Sequence, residues 1–127
     1  VTQVNSQSGP KEGFNSIFDV HFKPSANMSL IRIVKMTFKP EHVETFRHIF
    51  EERKERIASF PGCSSLELLH EDNIYFTYSK WDDAEALEKY RQSELFQSTW
   101  DLVKKLFGDK PEAWSVRKVD YSIPTEW

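Results

Sequence analysis

Between Leu30 and Ile123 the hydrophobic period of this chain switches from two residues to between three and four and back, in the order strand, helix, strand, strand, helix, strand. A switch of period is a switch of backbone geometry: side chains alternate across a strand but return to one face every 3.6 residues in a helix. Leu30 to Phe38 alternates, with Val34, Met36 and Phe38 on one side and Ile31, Ile33, Lys35 and Thr37 on the other, and Pro40 ends the run. From His42 to Phe60, Val43, Phe46, Phe50 and Ile57 recur at helical spacing, while Glu44, Arg47, Glu51, Lys54 and Glu55 fill the opposite face. That pattern predicts an amphipathic helix of about five turns.

Pro61-Gly62 stops the helix, and CSSLELLHE predicts a second strand ending at a turn over Glu71-Asp72-Asn73. Ile74 to Trp81 is the third strand and the return arm of a hairpin, with Ile74, Phe76 and Tyr78 on one face and Tyr75, Thr77, Ser79 and Trp81 on the other. Asp82 and Asp83 offer carboxylates to the open amides of a helix start, and Ser93 does the same for a second helical segment carrying Phe96, Trp100, Val103 and Phe107. Gly108 and Pro111 close that segment, and Ala113 to Ile123 alternates as strand four.

Two β-α-β halves give an α+β, ferredoxin-like subunit in which a four-stranded antiparallel sheet carries both helices on one face. The other face is left bare. Ile33 and Trp81 are expected on it, and a contiguous apolar face on a small subunit marks an interface, so a homodimer through the open sheet face is predicted.

The domain is expected over 28–123, with 124–127 as a short tail, and Met28 reads as a natural translation start running into the first strand. Residues 1–27 then read as a flexible extension, upstream-encoded or added, with one possible edge strand at 17–23 (IFDVHFK). A net charge of -3 without a basic stripe argues against nucleic acid and anionic membranes as partners. No apolar run approaches the ~20 residues that span a bilayer. A single cysteine, Cys63, leaves no internal disulfide and fits a reducing compartment, so the cytoplasm is the expected location.

The segments IVKMTFKPEHVETF, FPGCSSLELL, YFTYSKWDDAEALEKYRQSELFQ and EAWSVRKV resemble antibiotic biosynthesis monooxygenase domains in the order and spacing of strand, KP turn, helix, PGC turn and strand-Trp-helix run. The resemblance covers about three-quarters of the chain. It implies a dimeric α+β barrel, two sheets packed face to face, with an apolar pocket in each subunit. It also implies chemistry without metal or prosthetic group, in which an electron-rich quinol or phenol-like substrate itself reduces dioxygen. Other members degrade heme.

Under this resemblance Trp81 matches a tryptophan that lines the pocket of heme-degrading members, with a dimer-core aromatic as an equal alternative. The asparagine of that heme site falls at Ile33 and its iron-ligating histidine at Trp100, whose indole cannot ligate iron, so heme breakdown through that set is not expected. Trp100 is instead packing or a stacking wall. Lys35 and Thr37 share the expected pocket face of strand one, where an ammonium would stabilise an oxyanion, or would sit at the barrel mouth with its head in water. Tyr75 and Thr77 are candidates to orient a substrate hydroxyl. Tyr90 is a candidate to bond a ligand oxygen, or a helix-packing residue.

No metal site is expected: His42 and His48 do not share a helix face, and His48 with Glu52 offers only two ligands. His70, at a hairpin end, reads as a surface histidine before a general base. Three functions follow. The first is a cofactor-independent monooxygenase acting on a small, flat, electron-rich aromatic. The second is a noncatalytic dimer that binds a hydrophobic metabolite, and the third, less favoured, is heme binding or degradation.

Overall fold

The structure, a computed structural model, describes residues 29–119. Four strands, β1 (Leu30–Thr37), β2 (Cys63–Glu71), β3 (Ile74–Trp81) and β4 (Glu112–Val116), form one antiparallel sheet in the order β2-β3-β1-β4. Three helices, α1 (Val43–Ala58), α2 (Ala84–Arg91) and α3 (Glu94–Val103), pack on one face. This is the ferredoxin-like α+β fold that the switching period predicts. The strand proposed at 17–23 and the tail at 124–127 lie outside the described residues. Strand four, expected to run to Ile123, is seen as Glu112–Val116 within the described range.

Local chemistry sets the element ends. Asp83 accepts a hydrogen bond from Ala86 N at 2.8 Å and Ser93 one from Phe96 N at 3.1 Å, so α2 and α3 each begin on the expected cap. Gly62, in the turn after α1, has φ 93, and a Cβ there would run into Ala86 Cβ. The turn therefore needs glycine both for its backbone conformation and for the close approach of α2. The hairpin turns through Asp72 (φ 53) and Asn73, whose side-chain amide donates to Phe38 O at 2.6 Å and pins the turn to the end of β1.

Register decides the faces, because directly opposed residues in an antiparallel pair point the same way. Leu30, Arg32, Val34 and Met36 oppose Trp81, Ser79, Thr77 and Tyr75, and all lie under the helices. Ile31, Ile33, Lys35 and Thr37 oppose Lys80, Tyr78, Phe76 and Ile74 on the open face, joined by Leu69 of β2 and Trp114 and Val116 of β4.

Trp81, expected on the open face, therefore belongs to the helix side: it is buried with Leu30 and Leu87, and its Nε1 donates to Ser79 Oγ at 3.0 Å. Both faces of β3 are apolar, so alternation fixes which residues share a face but not which face the helices cover.

Two buried clusters hold the layers together. Met36, Phe38, Phe46, Tyr75 and Val103 form one, in which the fully buried Phe38 stacks on Phe46 at 4.2 Å and meets Tyr75 and Phe107 at 5.8 and 5.5 Å. Leu30, Trp81 and Leu87 form the other, ringed by Phe60, Cys63 and Tyr90.

Candidate functional site

β2 is the sheet edge beside α1, and the helix does not fully cover it. Between them lies an open groove of about 540 Å³, lined on the helix by Arg47, Phe50, Glu51, Lys54, Glu55 and Ala58, and on the sheet by Leu66, Leu68, His70 and Tyr75. That volume suits a small organic ligand. Its middle is apolar, through Phe50, Leu66 and Leu68, and its polar groups lie along the rim.

The groove has a distinct polar end built around Tyr75. Arg47, one turn into α1, donates through Nε to Tyr75 Oη at 2.8 Å, and its guanidinium carbon lies 5.6 Å from the ring centroid. This bond, followed by charge attraction to the same residue, raises the pKa of Arg47 above its ordinary value, so the group is a fixed cation. His70 stacks on the same ring at 4.9 Å and 16°. Its Nδ1 lies 3.1 Å from Asp72 O. A carbonyl only accepts, so the contact calls for the proton on Nδ1, the tautomer whose lone pair lies at Nε2. One buried phenol thus holds a cation and an imidazole side by side. Further along the rim, Lys54 is paired with Glu51 at 3.0 Å.

The residues singled out from the sequence do not converge on one place. Tyr75 lines the groove. Thr77 lies on the same face, half-buried between Val34 and Leu68. Trp81 and Tyr90 stack on each other at 5.0 Å, Tyr90 meets Phe96 at 5.2 Å, and Trp100 fits between Phe96 and Phe107 at 5.9 and 5.5 Å. These rings form a packed aromatic row under α2 and α3 rather than a wall of the groove. Burial, with a smaller contribution from Cys63, raises the pKa of the Tyr90 phenol. Ile33, Lys35 and Thr37 lie across the sheet on the open face, Lys35 beside Phe76 and Glu112. The backbone separates them from the groove, so Lys35 and Tyr75 cannot act on the same atom of a small ligand.

Arg47 is exposed, as its place on the polar face of α1 predicts, and from there it reaches Tyr75. His70 was read as a surface group. The hairpin itself carries the signal for His70: a two-residue turn at Asp72-Asn73 pairs Glu71 with Ile74 and hence His70 with Tyr75 on one face. Among the described residues no three His, Cys, Asp or Glu side chains gather as a metal site, and no helix is long and apolar enough to cross a membrane.

The fold has close counterparts. A conserved protein from Methanosarcina mazei superposes with a TM-score of 0.69 at 21% identity, over 73% of this chain and 95% of that one. An antibiotic biosynthesis monooxygenase gives 0.68 at 19%, over 72% and 99%. A Mycobacterium tuberculosis protein gives 0.69 at 14%, over 75% and 99%. At these identities the likeness is one of fold. In sequence, 78 residues are 28% identical to a Natronomonas pharaonis protein named for heme binding; the match covers 59% of this chain but spans only 13% of that protein's length. The model of the family described as antibiotic biosynthesis monooxygenase matches residues 29–101, from the start of β1 into α3, and the chain belongs to that family.

Proposed function

We propose that the chain is the subunit of a homodimeric oxygenase that uses neither metal nor prosthetic group and oxidises a small, electron-rich phenol or quinol held in the groove between α1 and β2. The observation that carries this reading is the Arg47-Tyr75-His70 cluster at the end of an apolar groove. His70 Nε2 takes the proton of the substrate hydroxyl, and Arg47 stabilises the phenolate formed. The phenolate passes one electron to dioxygen, and the phenoxyl-superoxide pair combines at a ring carbon bearing hydrogen. The proton held by His70 returns to the peroxide, and loss of water from that carbon leaves a carbonyl. One dioxygen is consumed, one oxygen atom enters the product and the other leaves as water, so the electrons balance with no outside reductant. A cytoplasmic location belongs to this proposal and draws on the single cysteine.

The test is oxygen uptake with a panel of phenols and hydroquinones in chelator-treated buffer. One oxygen consumed per quinone formed is expected, with kcat about 10²–10⁴ lower in His70→Gln. No uptake across the panel overturns the oxygenase reading. The exposed positions of His70 and Arg47, which leave water in reach of the reacting atoms, favour the competing reading of a binding module that holds the same ligand without oxidising it. Tight binding without uptake is its signature.

Heme enters through the name of the Natronomonas relative. The residues here fit it poorly. Trp100, at the position the resemblance pairs with iron, is wedged between Phe96 and Phe107, and an indole offers no ligand lone pair.

A further inference from the structure

The charges along the groove are not all committed to one another. Lys54 and Glu51 neutralise each other on the wall. Arg47 uses Nε on Tyr75 and is attracted to the Glu44 carboxylate one turn earlier on α1, but its two terminal nitrogens make no hydrogen bond to the described residues. The Glu55 carboxylate likewise has no ion pair or hydrogen bond there. Arg47 and Glu55 are eight positions apart on α1, which places them about 12 Å apart along the helix. The groove therefore has a cationic end with an open guanidinium fork and an anionic end two turns away, with Phe50, Leu66 and Leu68 between.

From this polarity we infer that the ligand of the groove is an aryl carboxylate bearing a ring hydroxyl, a hydroxybenzoate-like acid, with its carboxylate on Arg47 and its ring over Phe50 and Leu68. This rests on the groove reading above and names its substrate class. The two terminal nitrogens of a guanidinium match the two oxygens of a carboxylate, and such charge-assisted pairs are stronger than neutral ones. Glu55 repels an acid from the far end, so only one orientation is favoured. That orientation brings the ring to His70, the group that shares Tyr75 with Arg47. A neutral phenol meets the fork with a single oxygen, whereas the acid fills it with two carboxylate oxygens and leaves its hydroxyl to His70, the phenolate then being stabilised by the nearby charge of Arg47.

The experiment compares 2-, 3- and 4-hydroxybenzoate with their amides and with phenol, following backbone amide shifts of Arg47, Leu68 and His70 by NMR titration of the full chain. The best acid is expected to bind about tenfold or more tightly than its amide. Raising salt from 0.05 to 0.5 M should shrink that ratio, because the pair is open to solvent. Arg47→Met should abolish the preference, and Arg47→Lys should keep part of it through charge alone. Thermal melts of both variants confirm that they remain folded.

Equal binding of acid and amide, a preference that survives Arg47→Met, or no binding of any probe at millimolar concentration overturns the inference. Oxygen uptake separates this outcome from the fate of the oxygenase reading. Acid preference without uptake leaves the inference standing and removes the oxidation. Uptake as fast with neutral phenols as with acids does the reverse.

Discussion

Trp114 offers a direct test of the proposed homodimer. It lies on the open sheet face opposite Ile33 and remains 44% exposed in the single subunit, with Leu69 and Val116 at 48% and 41% on the same face. Applied to an aromatic side chain of about 250 Å², that exposure leaves roughly 110 Å² for a partner to cover, or about 2–3 kcal/mol at ~25 cal/mol per Å². A two-fold interface contains the residue twice, so Trp114→Ala should cost the dimer about 4–6 kcal/mol, which is three to four decades in Kd. The subunit fold should be spared, since the side chain belongs to neither buried cluster. Sedimentation equilibrium from nanomolar to tens of micromolar reads the shift, and circular dichroism checks the fold. A wild-type monomer at tens of micromolar would refute the dimer. An unchanged dissociation constant in Trp114→Ala would refute the assignment of this face.

Other expectations concern the core and its titrating groups. Phe38→Ala removes a fully buried ring with three aromatic neighbours and should cost about 3–5 kcal/mol, lowering Tm by about 15–30 °C in a domain of this size; a loss under 1 kcal/mol in a urea melt would contradict the packing described. Burial holds the Tyr90 phenol neutral in the folded state. Its stabilising contribution is thus complete below the ordinary phenol value of 10.0 and is lost as pH rises above it, at about 1.4 kcal/mol per pH unit until the folded phenol ionises. Tyr90→Phe should flatten the stability profile above pH 10, and an unchanged slope would show that Tyr90 ionises freely in the fold. Burial also raises the Cys63 thiol, so alkylation by iodoacetamide should lag behind a free thiol at pH 8 and approach it only at higher pH. Parity with a free thiol would mean that Cys63 is solvated.

The elements were legible because each is announced by local chemistry: the KP stop, the Asp83 and Ser93 caps, the Pro61-Gly62 turn and the change of period. The side of the sheet was not. β3 carries Tyr75 and Trp81 on one face and Phe76 and Tyr78 on the other, and hydrophobicity cannot say which pair the helices cover. Alternation alone therefore cannot place Trp81 under the helices, nor show that the sheet divides Lys35 and Thr37 from Tyr75 and Thr77. The groove was harder still. It depends on where the axis of α1 crosses β2 and β3, a matter of packing angle that no spacing encodes, so the solvated Arg47 is legible but its bond to Tyr75 is not. His70 was recoverable, because hairpin pairing alone carries it to Tyr75.

None of the eight positions of β3 is exposed, whereas all five of β4 are. This interior strand answers on one side to the helices and the groove and on the other to the face proposed for the partner, so neighbouring residues such as Tyr75 and Phe76 are held by unrelated demands. A saturation-mutagenesis map of the chain should therefore show an unbroken band of intolerance across Ile74–Trp81, without the every-other-residue relief typical of a strand with a wet side. A second tolerant face could arise there only if the open side of the sheet stayed in water.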